Sequence, residues 1–168
     1  IKQCLVGSEM CIRDSNGPAS VRYPRGTGPN SNVDKDLKPL KIGEANIINE
    51  ESSEIVILNF GTLLDEANQI SKELRATLVD MRFVKPLDEK LLRKLFKKAK
   101  VFISIEDGSI MGGAGSAVQE FASKENLNVR SILFGIPDKF IEHASREEML
   151  VEAGLDVENI KSKLSKLL

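Results

Sequence analysis

The sequence predicts an α/β fold of three layers: a mainly parallel sheet with helices on both faces and one antiparallel edge strand. Three observations carry this. Short apolar runs recur at residues 55–58, 77–84, 101–105 and 129–134. A segment with helical apolar spacing lies between each run and the next. The runs at 55–58 and 101–105 are nearly continuous rather than alternating, the mark of strands covered on both faces.

The elements follow in order. Residues 41–49 read as the edge strand, with Glu50-Glu51-Ser52-Ser53 as its turn. After the strand at 55–58, Thr62 followed three residues later by Asp65 has the form of a capping box, so a helix starts there. Its apolar face is Leu63, Ala67, Ile70 and Leu74, and Asp65 and Glu66 suit the positive end of its dipole. The strand at 77–84 leads to Pro86-Leu87-Asp88, where Asp88 is the expected N-cap of a helix burying Leu91, Leu92, Leu95, Phe96 and Ala99. Lys97, Lys98 and Lys100 crowd that helix's carboxyl end and read as a solvated terminus rather than a basic patch. The strand at 101–105 ends in Glu106-Asp107-Gly108, and a glycine-rich turn enters a helix with Ala117, Val118, Phe121 and Ala122. After the strand at 129–134, Ser145-Arg146-Glu147-Glu148 is a second capping box. Val157, Ile160, Leu164 and Leu167 form the stripe of a final helix.

The flanks differ from this regular core. Residues 1–15 show no helical or strand period and read as a non-native artefact. Ala19 to Tyr23 is a short strand candidate stopped by Pro24, and residues 28–40, with Pro29 and Pro39, read as a linker. The 168 residues carry a net charge of -1, which gives no electrostatic reason to expect nucleic acid or an anionic membrane as partner. No apolar run is long enough to span a bilayer, and no signal-peptide pattern opens the chain. Cys4 and Cys11 form no C-x-x-C pair and have no histidine near enough in sequence to complete a zinc site, so they read as reduced thiols and no metal site is expected.

Four features bear on chemistry. Met111-Gly112-Gly113-Ala114-Gly115-Ser116 lies between a strand and a helix, where backbone amides can hold a phosphate. Val118 stands where a dinucleotide fingerprint needs its third glycine, so a tight turn with close helix packing is the preferred reading. Glu106 and Asp107 are adjacent on a strand end and point apart, so they do not form an acid–base pair on one substrate atom. His143, the single histidine, reads as structural or solvated. In Arg22-Tyr23-Pro24-Arg25-Gly26 the proline stiffens the turn that presents Arg25. That suits a bidentate grip on phosphate, with a surface ion pair as the competing reading.

Several strings together resemble the 1-deoxy-D-xylulose-5-phosphate synthase family. They are residues 17–26 around Arg-Tyr-Pro-Arg-Gly, 57–64, 76–88 with Arg82 and Pro86-Leu87-Asp88, 106–116, 135–138 and 147–156. The Arg82 and Pro86-Leu87-Asp88 pattern is shared more widely, by transketolase-type C-terminal domains and 2-oxo-acid dehydrogenase β subunits. The resemblance implies a C-terminal fragment: 16–27 the end of a middle, pyrimidine-binding domain, 28–40 the linker, and 41–168 a transketolase-type C-terminal domain. The family condenses pyruvate and glyceraldehyde 3-phosphate with loss of CO₂, feeding isoprenoid, thiamine and pyridoxal synthesis. It uses thiamine diphosphate and Mg²⁺. Arg25 matches the family arginine at the phosphate of glyceraldehyde 3-phosphate. No catalytic residue or metal ligand carries over, since the family's Gly-Asp-Gly…Asn motif is not in this sequence. The implied expectations are a chain inactive and cofactor-free by itself, missing its N-terminal and middle domains, homodimeric when complete, and cytoplasmic in a bacterium, with a plastid left open. The alternatives are the C-terminal domain of a transketolase or a 2-oxo-acid dehydrogenase β subunit, or a stand-alone interaction domain.

Overall fold

The computed structural model describes Gly17, Pro18, Ser20, residues 40–52 and residues 54–168. The chain divides into two compact units, Ile1–Leu37 and Lys38–Leu168, and every described strand and helix belongs to the second. In order these are β1 (Asn46–Asn49), β2 (Ile55–Phe60), α1 (Leu64–Leu74), β3 (Thr77–Asp80), α2 (Glu89–Phe96), β4 (Val101–Ser109), α3 (Ala114–Lys124), β5 (Arg130–Ile136), α4 (Arg146–Ala153) and α5 (Val157–Leu167). The sheet order is β1-β3-β2-β4-β5. The pairs β2–β3, β2–β4 and β4–β5 are parallel, and β1 runs antiparallel to β3. This is the expected fold class, antiparallel edge included.

Alternate residues of the strands face two separate cores. Ile57, Leu78, Ile103, Ile105 and Phe134 pack with Ala67 and Ile70 of α1 and with Ile160 and Leu164 of α5. Val56, Leu58, Phe60, Val79 and Phe102 pack with Leu92 and Phe96 of α2 and with Val118 and Phe121 of α3. Two cores explain why the central strands are apolar at successive positions. They also follow from topology. The step from β2 to β3 and the step from β3 to β4 run in opposite directions across the sheet, so crossovers of one hand place α1 and α2 on opposite faces.

Boundaries shift where local geometry intervenes. The edge strand is only Asn46–Asn49, because residues 41–44 form a turn closed by the Glu44 amide donating to Lys41 O at 3.1 Å. β3 ends at Asp80 rather than at residue 84, because Arg82 takes a left-handed backbone (φ 56°) that no strand continues. β4 runs on to Ser109. Leu167, assigned to the apolar stripe of the last helix, is 42% exposed, so that stripe is buried at Ile160 and Leu164 only.

The capping box at α4 is formed. The Ser145 hydroxyl oxygen accepts from the Glu148 amide at 3.3 Å, and Glu148 Oε2 accepts from the Ser145 amide at 3.0 Å. The Ser145 amide, then its hydroxyl, hold the Glu148 carboxyl below its ordinary value of 4.5. A depressed carboxyl stabilises the fold fully above its unfolded value and loses that contribution as pH falls through the folded one. Glu148→Gln is therefore expected to lower Tm at neutral pH and to flatten the acid limb of Tm against pH, read by circular dichroism melts. On the opposite face, Arg93 of α2 bonds Glu89 at 2.6 Å and Glu125 beyond α3 at 2.8 Å, tying two helices together at the surface.

Candidate functional site

The strand order reverses between β2 and β4, since the connection from β2 leads to one side of the sheet and the chain then crosses to the other. In open α/β sheets ligands bind at such a switch point, beyond the carboxyl ends of the strands. An open crevice of about 280 Å³ lies there, with Gly61, Arg82, Val84, Glu106, Asp107 and Ala114 among its walls. A second hollow of about 290 Å³ lies at the amino ends of the strands, between residues 50–52, Thr77 and the end of α2. Its Glu50, Glu51, Lys94 and Lys98 are a mixed, solvated set, and its position is the wrong end of the sheet for a fold of this kind.

The polar side chains of the crevice are held by identifiable bonds. Arg82 follows β3, its amide donates to Asp80 Oδ1 at 3.3 Å, and its Nε lies 3.5 Å from Asp80 Oδ2. One acidic side chain thus holds both the backbone and the side chain of Arg82, the one arginine among the described residues that line the crevice. Three residues past Lys85, whose peptide to Pro86 is cis, Asp88 caps α2 as expected, with Oδ1 accepting from the Leu91 amide at 2.9 Å. Its Oδ2 also accepts from the Ala45 amide at 3.1 Å, which clamps the entry to β1 onto the start of α2. Asp88→Asn keeps the first bond and weakens the second. It is expected to cost about 1 kcal/mol in urea melts, while Asp88→Ala loses both and costs about 2 kcal/mol.

Glu106 and Asp107 point apart, as their adjacency on β4 requires. The Thr62 hydroxyl donates to Asp107 Oδ2 at 2.6 Å, and Arg146 Nη2 donates to the same hydroxyl at 3.2 Å. Thr62 therefore does not cap α1. The N-cap residue is Leu63, with no side-chain capping bond, because the threonine hydroxyl is committed to the neighbouring strand. Glu106 turns inward and is 5% exposed; its Oε2 accepts from the Ala114 amide and its Oε1 from the Gly115 amide, both at 2.9 Å. The amides that a phosphate loop would offer are thus in use by a side chain of the same molecule. Gly113 and Gly115 supply the close packing read from the sequence. A Cβ on Gly113 would collide with Ser109 O, and one on Gly115 would collide with Ser104 Oγ.

Of the residues singled out beforehand, Arg25 and the string from Arg22 to Gly26 lie outside the described residues, as do Cys4 and Cys11. His143 is exposed on the segment between β5 and α4 and does not line the crevice. In the sequence Arg82 stands out only as part of the motif with Pro86-Leu87-Asp88. Its place in the sequence, between a strand end and a Pro-Leu-Asp helix start, was the available signal for a crevice residue.

Residues 43–160 match the family model described as transketolase, C-terminal domain. This chain belongs to that family. Its most similar curated relatives include 1-deoxy-D-xylulose-5-phosphate synthases. That of Pseudomonas fluorescens is 47% identical over 89% of this chain and 23% of its own length. That of Stutzerimonas stutzeri is 50% identical over 90% of this chain and 24% of its own. The chain thus spans about a quarter of the length of the curated relatives it matches. Among solved structures, a split-gene transketolase described as an inactive β4 tetramer superposes with a TM-score of 0.69 at 26% identity, covering 76% of this chain and 43% of that one. Among the described residues no helix is long and apolar enough to cross a membrane.

Proposed function

We propose that this chain is the C-terminal part of a 1-deoxy-D-xylulose-5-phosphate synthase. The complete enzyme would condense pyruvate with glyceraldehyde 3-phosphate and release CO₂. The observation that carries this reading is the 46% to 50% identity to such synthases along nearly the whole chain. In this reading residues 16–27 end a middle domain, 28–40 link, and 41–168 form the third domain. The N-terminal and middle domains of a homodimeric, cytoplasmic enzyme are the missing partners. Residues 1–15 are foreign to it.

Thiamine diphosphate and Mg²⁺ belong, in this proposal, to the complete enzyme, where the cofactor supplies the carbanion chemistry. The described residues do not suit it. The helix start best built to grip a diphosphate is already filled by Glu106. No step of the reaction is therefore assigned to the described residues. The proposed contribution of this chain to substrate binding is Arg25, whose guanidinium would hold the phosphate of glyceraldehyde 3-phosphate.

The test has two arms. The purified chain, given pyruvate, glyceraldehyde 3-phosphate, thiamine diphosphate and Mg²⁺, is expected to release no CO₂. Residues 16–168 joined to the upstream part of the Stutzerimonas stutzeri synthase are expected to restore turnover. In that chimera Arg25→Ala is expected to raise KM for glyceraldehyde 3-phosphate about 10- to 100-fold, the worth of a charged hydrogen bond. Turnover by the chain alone, or a chimera that prefers unphosphorylated acceptors, would sink the reading. The second outcome would favour a transketolase or 2-oxo-acid dehydrogenase relative, a reading that the likeness to the split-gene transketolase keeps in play.

A further inference from the structure

Exposed apolar side chains line up at one end of the sheet. Strands β3, β2, β4 and β5 share one direction, so their carboxyl ends lie side by side. β1 runs the other way, with Asn46 opposite Asp80, so the chain enters it at that same end. Four of these strands carry there a large apolar residue that is more than half exposed: Ile42 ahead of β1, Val84 beyond β3, Met111 beyond β4 and Phe140 beyond β5. Taken in the spatial order of the strands they form a row across the sheet, about 20 Å long at about 4.8 Å per strand step. The charged groups beside the row are committed within the chain. Glu106 bonds the Ala114 and Gly115 amides, Asp107 accepts from Thr62, and Arg82 lies against Asp80. Lys41 and Lys139 pair with Glu44 and Glu152. An exposed apolar row among satisfied polar groups has the composition of an interface core, not of a solvated surface.

We propose that the carboxyl end of the sheet is the docking face for the part of the complete synthase that precedes residue 16, with Ile42, Val84, Met111 and Phe140 as its apolar contacts. The assignment rests on the reading of this chain as the last quarter of a synthase. Two observations favour that occupant. The match covers only 23% of the Pseudomonas fluorescens synthase, so a protein of that length has a large further part to seat. The polypeptide also enters the domain at the β1 end of the row, which delivers the preceding part to this face without a passage around the sheet. The entry is held there. The Ala45 amide donates to Asp88 at the start of α2, and a Cβ on Gly43 would stand 2.9 Å from Pro86 Cγ. Val151 on α4 and Leu168 after α5 are as exposed as Val84 but belong to the helical layer, so they serve as the comparison.

The experiment compares amide hydrogen exchange in the full chain alone and in the chimera described above. Segments 82–85, 109–112 and 137–141 are expected to exchange about tenfold more slowly in the chimera, while those around Val151 and Leu168 are unchanged. Equal exchange in the two proteins, or protection at Val151 and Leu168 instead, overturns the docking face. Turnover is read separately. A chimera that turns over with an unprotected row sinks the docking face and leaves the proposed reaction standing; a protected row without turnover does the reverse. Sedimentation of the chain alone tests the other occupant: a dimer that Ile42→Ser, Met111→Ser and Phe140→Ser together dissociate would give the row to a second copy and overturn the assignment. If the chimera does not fold, the chain alone decides. It is expected to brighten an anilinonaphthalene sulfonate dye, and the triple serine variant to lose most of that signal at an unchanged Tm. Equal dye signals from the two would mean that the row is no apolar surface, and the proposal would fall.

Discussion

Gly113→Ala is expected to destabilise the protein by about 3 kcal/mol, the upper part of the range for forcing volume into a packed site. The backbone at Gly113 is ordinary extended chain (φ -82°), so the cost is one of space and not of conformation. The added methyl group would meet two oxygens that have little freedom to move. Ser109 O belongs to the main chain of β4, and the Glu106 carboxylate is fixed by two amide bonds. Gly112→Ala is the matched control one residue earlier. Nothing lies within 4 Å of a Cβ there, but its φ of 66° is left-handed, so its cost is about 1 kcal/mol of backbone strain. Thermal melts should separate the two variants by several degrees. Equal melting temperatures would mean that the turn relaxes around residue 113 and that its glycines serve conformation only.

The same turn marks the boundary between what the sequence reveals and what it hides. The parallel strands were legible because a strand packed on both faces must be apolar at successive positions, as at Val56, Ile57 and Leu58. The N-caps at Asp88 and Ser145 were legible because each bonds an amide three residues away. The second bond of Asp88 was not, because Ala45 is 43 residues distant and is brought there by the antiparallel pairing of β1. Thr62 was misread for a related reason. Its spacing to Asp65 satisfied a local rule, but its hydroxyl donates to Asp107 on the adjacent strand instead. Glu106 was seen to diverge from Asp107, yet its partner could not be named until the chain was folded back onto the start of α3. The crevice is therefore a product of these non-local ties. One carboxylate holds α3 and the next holds the turn after β2, on either side of the point where the sheet reverses direction.

The largest single loss is expected at the centre of the sheet. Phe102 is fully buried on β4, between β2 and β5, and its ring stacks on Phe96 of α2 with centroids 5.1 Å apart. Phe102→Ala removes the transfer energy of the ring and leaves a cavity that a strand paired on both sides cannot collapse to fill. Such changes cost about 3–5 kcal/mol, a large part of the stability of a domain of this size. Phe102→Leu keeps most of the volume but loses the stacked pair, and is expected to cost between about 1 and 2 kcal/mol. Phe140 is the control, since it is fully exposed and its replacement by serine should leave the urea midpoint within error. The contrast between two phenylalanines of one chain tests the packing argument directly. If Phe102→Ala cost no more than Phe140→Ser, the core described between β4, α2 and α3 would not be what holds the crevice's floor in place.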